Sequence, residues 1–197
     1  MHEELEQFIK AHIKNDFLLI TCGLPGTGKS SAAEAVQRLR GGGMLKTDMI
    51  RREVLKNVDV FDFTIAGDMV KRTKVYDIMF RQAAQLMKRE NNFYLDATFI
   101  NQELRKRAAA LAAENWRTLI IMETVCPEEV CLGRITGRDK NTSVSNAVTE
   151  EAYYDNKKRY EPVDLGYLKK LYPNLDIQHI TVDTSAERPY VIAFETR

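Results

Sequence analysis

The clearest chemical equipment in this chain is one stretch, Gly23-Leu24-Pro25-Gly26-Thr27-Gly28-Lys29-Ser30. Its spacing, G-x-x-x-x-G-K-[ST], is that of a loop whose backbone N–H groups close round a phosphate. Glycine allows the close approach, and a following helix N-terminus adds a favourable dipole. Lys29 would then bring a point charge to the β- and γ-phosphates, and Ser30 would offer a hydroxyl to Mg²⁺. The expected ATP contacts are Gly23, Pro25, Gly26, Thr27, Gly28, Lys29, Ser30 and Ser31. From average residue usage the bare pattern arises by chance in roughly one in a hundred chains of this length. A glycine-rich turn with an incidental lysine is the alternative. The flanks favour the loop: Phe17-Leu18-Leu19-Ile20-Thr21-Cys22 reads as a buried strand, and residues 31–40 are rich in helix formers.

Other polar residues fall where such a loop needs them. Asp96 follows the apolar run Phe93-Tyr94-Leu95, and an acid at that place can hold Mg²⁺ directly or through water. The alternative is that Asp96 is a helix cap or turn acid, and Thr98 stands close by. Asp48 ends a short second strand and Arg51 lies about one helical turn on. A carboxylate there could take the proton of an attacking hydroxyl, and the guanidinium could grip an anionic or polar part of the acceptor. Asp48 is also a good helix N-cap, and the two roles are compatible. Arg134 and Arg138, four apart, share a helix face ahead of a polar stretch over 139–148. They read either as a solvated face or as arginines that a mobile flap delivers to phosphates. Lys71, Arg72 and Lys74, with Arg52 and Lys56, form a basic cluster that reads first as surface.

The elements that must position these groups alternate. Short apolar strands are expected over 17–22, 44–47, 93–96, 118–125 and 177–182, with helices between them. Residues 3–14 read as an amphipathic helix and 71–90 as a long one. Asn101 and Thr149 are expected to cap helices, and Pro127 to open one at its first position. Pro162 and Gly166 read as breaks, the tail from 187 as a short helix, and Trp116 as packing. Such a pattern predicts a parallel sheet covered on both faces, with ligands beyond the carboxyl ends of the strands. Asp48, Asp96 and the glycine loop all fall at those ends.

The totals exclude much. The chain has 197 residues, the length of one domain, expected to run over 1–197. With 29 basic and 28 acidic residues the net charge is +1, which gives no electrostatic case for coating nucleic acid or a membrane. Cys22, Cys126 and Cys131 show no C-x-x-C, and His2, His12 and His179 show no metal-ligand spacing. Cys22 beside the loop reads as a buried structural thiol. No apolar run approaches membrane-spanning length, and a cytoplasmic location is the expectation.

Taken together, the chain resembles a P-loop kinase. It is most similar to the predicted ATP-binding kinases that include the polynucleotide 5′-hydroxyl kinase domain. More distantly it resembles gluconate kinase, chloramphenicol phosphotransferase and the zeta toxins. The resemblance rests on Gly23 to Ser30, on Thr47-Asp48-Met49-Ile50-Arg51 and on Tyr94-Leu95-Asp96-Ala97-Thr98. Arg134 and Arg138 with the following loop, Tyr160-Glu161-Pro162 and Val182-Asp183-Thr184-Ser185 complete it, over residues 17–185. The resemblance implies a three-layer α/β P-loop NTPase fold whose five parallel strands stand in the order 2-3-1-4-5, with a helical lid over about residues 134–160. It implies Lys29, Asp48 and Arg138 as catalytic residues, with Arg134 and Arg138 on the phosphates. Asp48 and Arg51 would meet the acceptor, and Ser30 and Asp96 would hold Mg²⁺. The expected activity is transfer of the γ-phosphate of ATP to a hydroxyl of a small molecule. A nucleic-acid 5′ end is the alternative acceptor, and an ATP-binding switch without an acceptor is the alternative from another class.

Overall fold

A computed structural model describes residues 1–54, 69–138 and 147–197, with side chains throughout except at 69–72. Most of the expected polar loop, Lys56, and the side chains of Lys71 and Arg72 lie outside the described residues. The strands are β1 (Glu3–Glu4), β2 (Phe17–Cys22), β3 (Gly43–Lys46), β4 (Asn92–Asp96), β5 (Thr118–Val125), β6 (Ile177–Asp183) and β7 (Tyr190–Thr196). The helices are α1 (Leu5–His12), α2 (Lys29–Arg40), α3 (Thr47–Val54), α4 (Met69–Leu86), α5 (Gln102–Glu114), α6 (Glu128–Thr136), α7 (Glu150–Arg159) and α8 (Leu165–Leu171).

β2 is the centre of the sheet because all six of its residues are apolar or small enough to be covered on both faces. It pairs in parallel with β4 on one side and β5 on the other, so Phe17 faces both Asn92 and Thr118. Leu18, Ile20 and Cys22 point into a layer built with Met79 and Ala83 of α4, Ala108 and Ala112 of α5 and Leu168 of α8. Phe17 and Leu19 point the other way, onto Leu5 and Phe8 of α1 and Ala33 and Val36 of α2. Alternation along one strand thus supplies both cores of a three-layer α/β fold.

Several sequence expectations are corrected. Among the described residues the sheet has seven strands, not five, and is mixed, in the order β1-β7-β6-β5-β2-β4-β3. That order differs from the five-strand order expected because β7 and β1 extend the β6 edge antiparallel. Its five parallel strands run β3-β4-β2-β5-β6. The tail expected to be helical is β7. Tyr190, Val191 and Phe194 suit a strand, and Val191 becomes fully buried against β6. Asp164 caps α8 by accepting from the Tyr167 N–H at 2.8 Å, so the chain does not break at Gly166. Pro127 sits at the N-cap of α6 rather than inside it.

Trp116 does not pack: it is 94 % exposed and has φ 56°. It stands one residue past the Asn115 cap of α5. Its N–H donates to Ala113 O at 3.2 Å, and that of Arg117 to Ala112 O at 3.0 Å. This is the double hydrogen-bond pattern that ends helices with a left-handed residue. Two caps were read correctly: Asn101 accepts from Leu104 N at 3.0 Å and Thr149 from Ala152 N at 3.3 Å. Among the described residues, no helix is long and apolar enough to cross a membrane.

Candidate active site

The loop between β2 and α2 is held from three sides. Thr27 Oγ1 reaches Leu24 O at 2.8 Å and Thr124 Oγ1 at 2.7 Å, and Thr184 Oγ1 donates to Thr27 O at 2.8 Å. Gly26 has φ 83°, and a Cβ there would lie 2.6 Å from Cys131 O. The loop therefore rests directly on the first turns of α6, and no other residue fits at that position without displacement. Lys29 Nζ donates to Leu24 O at 2.7 Å. Burial pulls the Lys29 ammonium below its ordinary value, the Asp96 and Asp48 carboxylates oppose this, and the Arg138 guanidinium adds to it.

The strand ends supply the rest. Asp96, the last residue of β4, is buried and accepts from Ser30 Oγ at 2.6 Å. Thr21 Oγ1 lies 3.2 Å from its other oxygen. β3 hands directly into α3, which places Asp48 in the first turn of that helix. Arg51 Nη1 stands 3.8 Å from Asp48 Oδ1, and the Arg51 side chain is largely buried. Arg138 Nη1 donates to Ala147 O at 2.6 Å. Burial lowers the Arg138 guanidinium, with Asp48 opposing. Pro25, Gly26, Gly28, Lys29, Ser30, Ser31, Asp48, Arg51, Asp96 and Arg138 all line one cavity of about 590 Å³. Of the expected residues, Gly23, Thr27 and Arg134 do not line it.

Arg134 braces the loop instead. Its Nη2 donates to Thr184 O at 2.6 Å, and its Nη1 lies 3.2 Å from Gly26 O and 3.3 Å from Thr184 Oγ1. It lines a second cavity of about 880 Å³, bounded by Gly28, Ser31, Thr184 and residues 186–189, with Arg138 on the border of both. The glycine loop therefore separates two chambers.

A family model for the AAA domain, AAA_33, matches residues 18–163 of this chain. The chain belongs to that AAA domain family. An uncharacterised protein of Mycobacterium tuberculosis is 28 % identical over 136 residues, which is 66 % of this chain and 27 % of that protein. The chain thus spans about a quarter of the length of the curated relatives it matches. A sugar kinase of a Janibacter species superposes with a TM-score of 0.59 at 14 % identity, covering 85 % of this chain and 84 % of that one. Kti12 of Chaetomium thermophilum, solved in complex with ADP-AlF3, superposes with a TM-score of 0.56 at 13 % identity, covering 75 % and 81 %. These likenesses show the fold of the AAA domain as P-loop kinase-like.

Behind the loop, the AAA domain has a buried polar network that local reading missed. Arg105 is fully buried, and its guanidinium donates to Glu161 O at 2.7 Å, Pro162 O at 2.8 Å and Phe99 O at 3.1 Å. The Tyr160 hydroxyl donates to Glu123 Oε1, and His179 Nε2 lies 2.9 Å from Glu123 Oε2. Burial raises the Glu123 carboxyl. The hydrogen bonds from His179 and Tyr160 outweigh this and leave it below the ordinary 4.5. One signal for Arg105 was present: it stands at helical spacing from Ala108, Ala109 and Ala112, on the apolar side of α5.

Proposed function

We propose that this AAA domain is an ATP- and Mg²⁺-dependent kinase that phosphorylates a hydroxyl of a small-molecule acceptor. The observation that carries the reading is the shared cavity. The phosphate loop, Asp96, Arg138, Asp48 and Arg51 all line it, and the Asp48 carboxylate acts on both Lys29 and Arg138. Its volume, about 590 Å³, lies in the range of small-molecule sites.

The chemistry follows from the positions. Loop amides and the N-terminus of α2 bind the phosphates of the nucleotide. Lys29 leaves the Leu24 carbonyl to meet them, which reverses the penalty of its burial. The acceptor hydroxyl forms a bond to the γ-phosphorus while the bond from that phosphorus to the β,γ-bridging oxygen breaks. The hydroxyl proton passes to the Asp48 carboxylate, and ADP departs. Arg138 and Lys29 absorb the charge that spreads over the transferring group, since this reaction is mostly positioning and electrostatics. Ser30 and Asp96 offer the hard oxygen donors Mg²⁺ prefers, and its remaining positions would fall to phosphates and water. Bound there, the ion would neutralise phosphate charge. Among the described residues no cluster of three His, Cys, Asp or Glu side chains could hold a metal by itself, which fits an ion carried in with the nucleotide.

The test is Asp48→Asn in a coupled ADP-release assay against sugars, nucleosides, antibiotics and 5′-hydroxyl oligonucleotides. Acceptor-stimulated release should fall by about 10²–10⁴ while ATP affinity holds, as for loss of a general base. Unchanged turnover removes Asp48 from the mechanism. ATP uptake with no stimulated release across the panel would favour a nucleotide switch.

A further inference from the structure

Two of the three cysteines meet beside the glycine loop. Pro127 is the N-cap of α6, so Cys126 stands just outside the helix and Cys131 is its fourth residue. Side chains at those two positions pack against each other across a helix start. They do so here. Cys131 is fully buried in a small cluster with Ile135 and Tyr153, and the half-buried Cys126 packs against that cluster. Cys131 Sγ lies 3.7 Å from Cys126 O. Burial and the neighbouring Cys126 thiol push the Cys131 thiol up to about 11, which leaves it inert by itself. Cys126 differs. It reaches solvent, and Arg134 Nη1 stands 3.5 Å from its sulfur. A partly exposed sulfur beside a fixed cation is the setting in which thiols react.

This pair is joined to the glycine loop twice. The same Arg134 Nη1 lies 3.2 Å from Gly26 O. The Cys131 backbone leaves no slack against Gly26, where a Cβ would come within 2.6 Å of the Cys131 carbonyl oxygen and 2.9 Å of its Cα. Cys22 lies in another core, its sulfur against the Arg105 guanidinium.

We propose that Cys126 and Cys131 are a peroxide-sensitive thiol pair whose disulfide weakens the hold of the glycine loop on nucleotide. Hydrogen peroxide is the oxidant. The Cys126 sulfur attacks the O–O bond, an S–O bond forms, and one water departs. The Cys131 sulfur then displaces that hydroxyl from Cys126. The S–S bond forms, and the hydroxyl leaves with the Cys131 proton as a second water. Both sulfurs are oxidised, and both peroxide oxygens are reduced. The new bond draws the start of α6 towards Cys126, changes the sulfur that Arg134 meets and moves the surface on which Gly26 rests. The effect on nucleotide rests on the phosphate-loop reading above, whereas the disulfide does not.

The experiment treats the full chain with hydrogen peroxide, blocks remaining thiols by alkylation and maps the peptides by mass. Calorimetry with Mg²⁺ and the β,γ-imido analogue of ATP follows, on reduced, oxidised and dithiothreitol-treated protein. Mapping should find a Cys126–Cys131 bond in the unmodified chain and none in Cys126→Ser. The oxidised chain should bind the analogue about tenfold more weakly, and dithiothreitol should restore the affinity. Peroxide should leave the affinity of Cys126→Ser unchanged. Absence of the bond overturns the proposal, as does a bond that changes affinity by less than about twofold. An equal loss in Cys126→Ser assigns the effect to oxidation elsewhere and overturns it too. No uptake of the analogue by the reduced chain strikes the kinase reading instead, and the mapping still decides whether the pair forms.

Discussion

Replacing Arg105 with methionine removes a guanidinium that holds three segments together. Its short bonds run to Glu161 O at 2.7 Å, Pro162 O at 2.8 Å and Phe99 O at 3.1 Å. A fourth, at 3.0 Å, reaches Gln102 Oε1. Methionine fills much of the volume and satisfies none of the acceptors. A carbonyl left without a donor where water cannot reach it costs about 1–3 kcal/mol. Summing three gives roughly 3–9, but one water or a small backbone shift would serve more than one of them. Phe99 is fully buried, whereas Glu161 and Pro162 are exposed and their carbonyls can take water, so the lower part of that range, about 3–5 kcal/mol, is the expectation. For a chain of 197 residues this is a fall in melting temperature of about 6–20 °C. Thermal unfolding by circular dichroism reads the shift. Hydrogen exchange should locate the loosening at residues 99–102 and 160–163, where the segment after α7 docks on Ile100. Arg105→Lys separates charge from geometry: lysine keeps the charge but cannot span three carbonyls, and should recover less than half of the loss. A melting temperature within about 2 °C of the unmodified chain refutes the clamp.

Trp116→Gly should stabilise the protein by about 1 kcal/mol, or roughly 2–4 °C. The position is left-handed and the indole is 94 % exposed, so glycine removes strain and forfeits no burial. A drop in melting temperature would mean that Trp116 is covered in the folded protein. Glu123 makes stability depend on pH in a definite direction. Its folded-state pKa is depressed, so its contribution is present above the ordinary 4.5 and is lost as pH falls through the lower folded value. Melting curves of the unmodified chain and Glu123→Gln should therefore differ most at neutral pH and converge on acidification. A gap independent of pH would assign the effect to packing.

What the sequence disclosed divides by how local the cause is. The phosphate loop was legible because its strand, its glycines and its helix are contiguous, and β2 is buried along its whole length. Asp96 was legible as a strand-end acid for the same reason, whereas Asp48, expected to close the second strand and cap the next helix, lies in the first turn of α3 because β3 hands over at Thr47. β7 was not. Tyr190-Val191-Ile192-Ala193-Phe194 carries no clear alternation, and it becomes a strand because β6 offers it an edge. The seven-strand sheet could only follow from that pairing. Trp116 misled because a tryptophan ahead of a strand suggests burial. The helix-ending turn, satisfied by backbone groups alone, turned its side chain outward.

The Arg105 clamp lies deeper still, since Arg105 and the Glu161 and Pro162 carbonyls it holds are 56 and 57 positions apart. The two segments meet where the Glu161 N–H docks on Ile100 O and the Arg105 guanidinium holds Glu161 O. Arg105 and Arg107, two residues apart on α5, point different ways. One is sealed behind the sheet and spends its donors on backbone. The other is half-exposed and reaches the cavity. A fault at Arg105 should thus loosen the segment that follows α7 while the glycine loop keeps its own anchors at Thr27, Thr124 and Thr184.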